Sequence, residues 1–154
     1  MNKRSLINLF VWSSAALLIV TAAAKLVSCF GTAKILQNSD PLVGLRFGRL
    51  MFIAGIIELG VAVNSLFLKD RIVAVTLIAW LASVFVLYRL GLFFVGLNIP
   101  CPCLGGFTDA IHLRKEIADS IMKVVLGYLL LGSYGILFWE RKQRRIPIRQ
   151  AIKV

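Results

Sequence analysis

The sequence predicts an all-α, polytopic membrane protein: a bundle of four transmembrane helices with both termini in the cytoplasm. Three observations predict it. Of 154 residues 59% are hydrophobic, with mean hydropathy +0.86, well above the roughly 45–50% apolar content of soluble domains. Only 16% are charged, against about 25% in soluble proteins. The apolar residues also fall into runs long enough to cross a bilayer, which takes about 20 residues of helix. This excludes a disordered chain, a collagen and a disulfide mini-scaffold, and leaves little chain for an extramembrane enzyme domain.

The first run, residues 6–24, is uncharged and lies between Lys3-Arg4 and Lys25. Its basic start and the Thr21-Ala22-Ala23-Ala24 stretch also suit a signal peptide, but the run is longer than a usual signal core, so it reads as a retained helix. The second, residues 50–68, lies between Arg49 and Lys69 and is interrupted only by Glu58. The third, residues 72–97, carries Arg89 and stops at Asn98-Ile99-Pro100, where proline restricts the residue before it. The fourth, residues 120–139, has Asp119 in position for an N-cap and Lys123 in its first turn. Residues 1–139 thus read as one membrane domain and 140–154 as a basic cytoplasmic tail. No run alternates with the period of a barrel strand.

The formal net charge is +11, and its placement decides its meaning. Lys3, Arg4, Lys69, Arg71 and six tail residues lie on the side of the termini, against Lys25, Lys34, Arg46 and Arg49 in the segment joining the first two runs. Basic residues stay on the cytoplasmic side, so the termini are read as cytoplasmic, in a cytoplasmic (inner) membrane. The tail suits an anionic leaflet. Lipid is therefore the expected partner, and no nucleic acid is expected, because no grooved or aromatic-interleaved basic motif accompanies the charge.

This topology puts Cys29, Cys101 and Cys103 outside. Asn98-Ile99-Pro100-Cys101-Pro102-Cys103-Leu104-Gly105-Gly106 is the most informative stretch, because its prolines and glycines prescribe a non-helical loop carrying two thiols one residue apart. Outside a cell membrane a disulfide can form and persist. A bridge between residues i and i+2 closes a very small ring, and departure from relaxed geometry makes such a bond easier to reduce. Cys101 and Cys103 are thus candidates for thiol–disulfide exchange, with Cys29 as a possible third thiol. A static disulfide, inert thiols and a soft-metal site stay open. His112 would add a ligand, but a closed zinc site needs four and the spacing matches no standard finger, so no metal is assigned.

Four spans, Glu58-Leu59-Gly60-Val61 in the second, Ala24-Lys25-Leu26 after the first and the outer Cys101-to-Gly105 loop together resemble the MauE/DoxX redox-associated membrane proteins. The likeness covers roughly residues 8–139, and the cysteine loop is its specific motif. For MauE-type members it implies processing, transport or maturation of the methylamine dehydrogenase β-subunit, a disulfide-rich periplasmic protein, alongside a thioredoxin-like partner. DoxX-type members are linked instead to a respiratory quinol oxidase, as a non-catalytic subunit. A quinone-linked thiol oxidoreductase and a small transporter are the other readings.

Glu58 is the remaining candidate site residue. It lies about 12 Å inside the second run at 1.5 Å per residue, where a bare carboxylate is costly, so it needs a proton, a partner or a polar cavity. Arg89 is one candidate partner, but depths counted from the two ends of the third run disagree, and the favoured reading has Arg89 reaching to the outer headgroups while Glu58 hydrogen-bonds within the bundle. The frequent small residues, among them Gly55, Gly60 and Gly132, read as helix-contact positions, and Trp12, Trp80 and Trp139 as interfacial or packing aromatics. No phosphate loop, dinucleotide fingerprint, zinc-protease motif or nucleophile elbow is present.

Overall fold

The computed structural model of the chain describes residues 3–29, 44–94 and 115–151. They form four helices: α1 (Lys3–Cys29), α2 (Phe47–Phe67), α3 (Arg71–Phe94) and α4 (Lys115–Ala151). Each is long and apolar enough to span a membrane, and no β-strand occurs among the described residues. The expected all-α fold of four membrane-spanning helices is therefore met. Cys101, Cys103 and His112 lie outside the described residues.

α1 and α4 outrun the uncharged stretches that announce them. After Lys25, α1 continues for one more turn through Leu26, Val27 and Ser28. Its charge therefore falls inside the helix and does not end it. α4 begins at Lys115, so Asp119 is an interior helical residue and not the N-cap the sequence suggests. At the tail end, α4 carries on to Ala151.

Between α2 and α3 the chain reverses in three residues. Leu68 is extended (φ −63°, ψ 124°), and its N–H still donates to the Asn64 carbonyl. Asp70 Oδ1 then accepts from the Ile72 N–H at 3.0 Å, the N-cap contact that satisfies an orphan donor at the start of α3. Arg71 reaches back to the Ser65 carbonyl at 3.3 Å, at the C-terminal end of α2 where a cation is favoured. The turn is closed from both sides.

Around this hairpin the helices pack antiparallel in sequence order, with α1 and α3 each touching all three others. Leu18 of α1, Ala62 of α2, Ile78, Leu81 and Ala82 of α3 and Leu129 of α4 form one buried cluster, and Ile7, Phe10 and Val11 pack with Ala74 and Val75 in a second. Lipid tails give helices no hydrophobic reason to associate, so close fit must hold them. Small residues supply it. A Cβ on Gly55 would lie 3.1 Å from Leu26 Cγ, and one on Gly132 would strike the Phe10 ring.

Outside its apolar core the bundle differs from a soluble protein, because its surface is also apolar and several polar groups lie inside. Leu9, Val20, Phe67, Leu87, Phe94, Leu131 and Phe138 lie on the outside, whereas Ser14, Lys25, Ser28, Glu58, Ser65 and Ser133 are buried. In water that surface would aggregate. In lipid it is the solvated face, and buried polar groups turn to partners within the bundle, although the Ser14 and Ser65 hydroxyls have none among the described residues. Ser28 and Ser133 donate to carbonyls four residues back, while Ser13 and Ser83 pair with the hydroxyls of Tyr128 (2.7 Å) and Tyr134 (3.0 Å) on α4.

Candidate functional site: a buried ion pair beside a lateral cavity

Thr21 and Lys25 stand four residues apart on α1 and so share one face of the helix. That face meets α2 where Glu58 projects, about 16 Å from the start of α2 and about 14 Å from its end. Lys25 Nζ donates to both carboxylate oxygens, at 2.7 Å to Oε1 and 2.8 Å to Oε2. Thr21 Oγ1 lies 3.3 Å from Oε2 and 3.1 Å from the Leu18 carbonyl, so its proton is shared between them. The two charged side chains are 4% and 2% exposed, and the ammonium also lies 5.6 Å from the centre of the Phe85 ring on α3.

Glu58 thus hydrogen-bonds within the bundle, as the favoured reading has it, and Lys25 rather than Arg89 occupies both oxygens. Depth explains why the sequence does not reveal this partner. Counting from the ends of uncharged runs sets Lys25 at the membrane edge, whereas α1 ends four residues, or about 6 Å, later. The signal available in the sequence is the continuation Leu26-Val27 beyond Lys25, together with one base and one acid in adjacent spans.

Alongside the pair is a cavity of about 240 Å³. Lys25 and Glu58 line it together with Ala54 and Ile57 of α2, Trp80, Val84 and Tyr88 of α3 and Leu126 of α4. Ile53, Ile57, Trp80 and Val84 also contribute to the outer, lipid-facing surface. The cavity thus opens sideways between α2 and α3. Arg89 belongs to its lining, near the end where α3 finishes.

Cys29 is the last residue of α1, one turn beyond Lys25. It is a half-buried free thiol that donates to the Gly48 carbonyl in the first turn of α2, at 3.3 Å. The packing of Val11 on Ala74 and of Lys25 on Phe85 shows that α1 and α3 run in the same direction. Ile136 and Leu137 pack in the cluster with Ala74 and Val75, whereas Val125 and Leu126 pack in the cluster with Ile78, Leu81 and Ala82, so α4 runs opposite to α3. Cys29, the end of α3 and the start of α4 therefore share one end of the bundle. Among the described residues no group of three or more His, Cys, Asp or Glu is arranged to hold a metal.

Four antiparallel apolar helices, the first two joined by a buried lysine–glutamate pair, define a small multi-pass membrane protein. Within that class the chain belongs to the MauE family: the family model for methylamine utilisation protein MauE matches residues 3–140. Searches of curated proteins and of solved structures gave no match. Family membership supports a MauE-like accessory role in the membrane.

Proposed function

We propose that the protein is an accessory membrane protein that carries out thiol–disulfide exchange for an extracytoplasmic partner during that partner's maturation. The observation that carries this reading is the shared end of the bundle. Cys29 sits there, and the sequence places Cys101 and Cys103 in the segment that leaves α3 and enters α4 at that same end. Charge supports the orientation. With Lys25 drawn into the bundle, the cysteine end carries Lys34, Arg46, Arg49, Arg114 and Lys115, five basic residues against the ten of Lys3, Arg4, Lys69, Arg71 and the six in the tail at the opposite end. The cysteine end then faces outside the cytoplasmic membrane, where disulfides persist.

In this reading the thiolate of one member of the Cys101/Cys103 pair attacks a disulfide in the partner. A mixed disulfide forms and one partner thiolate leaves. The second cysteine then attacks the mixed disulfide, releasing the partner as a dithiol and leaving Cys101 and Cys103 bridged. Run in reverse, the same steps oxidise the partner. The partner class is a thioredoxin-like protein or a disulfide-containing client, as the MauE resemblance implies, and Cys29 is the third thiol. The test is trapping: Cys101→Ser and Cys103→Ser, each alone, are expressed in the native host and resolved by non-reducing electrophoresis. One single variant is expected to accumulate a reductant-sensitive adduct absent from the double variant. Normal partner maturation in the double variant would overturn the reading.

A further inference from the structure

We propose that the cavity between α2 and α3 binds the head of a lipid-soluble quinone, with a ring carbonyl accepting a hydrogen bond from Lys25. Size selects a ring. An apolar cavity of about 150 Å³ takes benzene, so about 240 Å³ accommodates one substituted ring with its carbonyl oxygens. Access selects a molecule dissolved in the bilayer, because the mouth lies among the lipid-facing Ile57, Trp80 and Val84 and a hydrocarbon tail can stay outside.

Polarity selects the chemistry. Two N–H groups of Lys25 go to Glu58, and the third has no hydrogen-bond acceptor among the described residues. The pair is neutral as a unit, so an anionic head would face the Glu58 carboxylate and a cationic one the Lys25 ammonium. A neutral carbonyl oxygen suits the remaining N–H. Trp80, Phe85 and Tyr88 add the aromatic faces on which a flat ring stacks. A plain acyl chain would use none of these groups.

The redox use of this site rests on the thiol-exchange reading, but binding itself does not. In closing their disulfide, Cys101 and Cys103 lose two electrons and two protons. A quinone gains the same two electrons and two protons in becoming a quinol, so no third reactant is needed.

Trp80 reports the site directly. In a Trp12→Phe/Trp139→Phe background it is the remaining tryptophan. This protein, in phosphatidylcholine nanodiscs, is titrated with a decyl-tailed benzoquinone while indole fluorescence is followed. The expected result is saturable quenching. Half-saturation should rise at least tenfold with Ala54→Phe, which fills the cavity, and with Lys25→Met/Glu58→Leu, which removes the polar contact while leaving no unpaired charge. Quenching that grows linearly without saturation, or that ignores both variants, would overturn the proposal. So would protection of Trp80 by decanol as effective as binding of the quinone, which would mark an acyl-chain groove. Cys101→Ser/Cys103→Ser should leave the titration unchanged, so failure of quinone binding and failure of thiol exchange are distinguishable.

Discussion

At the end of the bundle where α1 begins, Ile7, Phe10 and Val11 pack dry against Ala74 and Val75, and the Phe10 ring lies over Gly132 without room for a further carbon. At the other end, α1 and α2 are joined through Lys25 and Glu58, and the cavity separates parts of α2 from α3. Both arrangements answer the same difficulty, that lipid does not drive helices together. One end uses shape, the other a charge pair that has nowhere else to go. The tight end fixes the bundle, which leaves the cysteine end free to keep an opening.

Halving the ion pair should have the largest effect. Lys25→Met or Glu58→Leu alone leaves one buried charge uncompensated and should destabilise the protein by about 3–5 kcal/mol, read by thermal unfolding in detergent. The double variant should match or exceed the parent, because a desolvated pair is often no better than apolar residues of similar volume. Additive single losses in the double variant would show that the two side chains do not act as a unit.

A smaller effect is expected at the tight end. Gly132→Ala drives a methyl group into the Phe10 ring and should cost about 1–3 kcal/mol, as overpacking does. Phe10→Leu in the same chain should recover part of that loss. If Gly132→Ala is neutral, the end around Phe10 is not held by fit.

The smallest effect is expected where the helices are tied by exposed hydroxyls. Tyr128→Phe removes the bond to Ser13 and should cost about 0.6 kcal/mol, the usual worth of an interhelical hydrogen bond in a membrane. A double-mutant cycle with Ser13→Ala measures the coupling. A coupling as large as that between Lys25 and Glu58 would erase the distinction between a structural tie and the buried pair.

These differences also explain what is legible in the sequence. Spans are set by runs of apolar residues, so all four helices can be read directly. Helix ends are set by local backbone bonding and not by hydropathy. Run boundaries therefore leave Lys25 outside a helix that continues to Cys29, and make Asp119 look like a cap it does not form. The partner of Glu58 depends on the rotation of α1 against α2, which no single run encodes. Arg89 matches the depth of Glu58 when counted from the outer ends of the runs, but Lys25 faces the carboxylate because Gly55 lets α1 approach α2 closely one turn away. The cavity is invisible in the sequence for a related reason, since it belongs to the gap between helices. Cys101, Cys103 and Cys29 stand out as chemistry-bearing residues at once, because two thiols flanking a proline need no tertiary structure to be noticed.

Whether Cys101 and Cys103 form a reversible disulfide pair on the outer side of the membrane can be decided by labelling intact cells with a membrane-impermeant maleimide. A Cys29→Ser chain makes the readout specific to the pair. No labelling is expected before reduction, and two labels per chain are expected after brief treatment with an impermeant reductant. Labelling that requires permeabilised cells, or that is complete without reductant, would contradict the assignment.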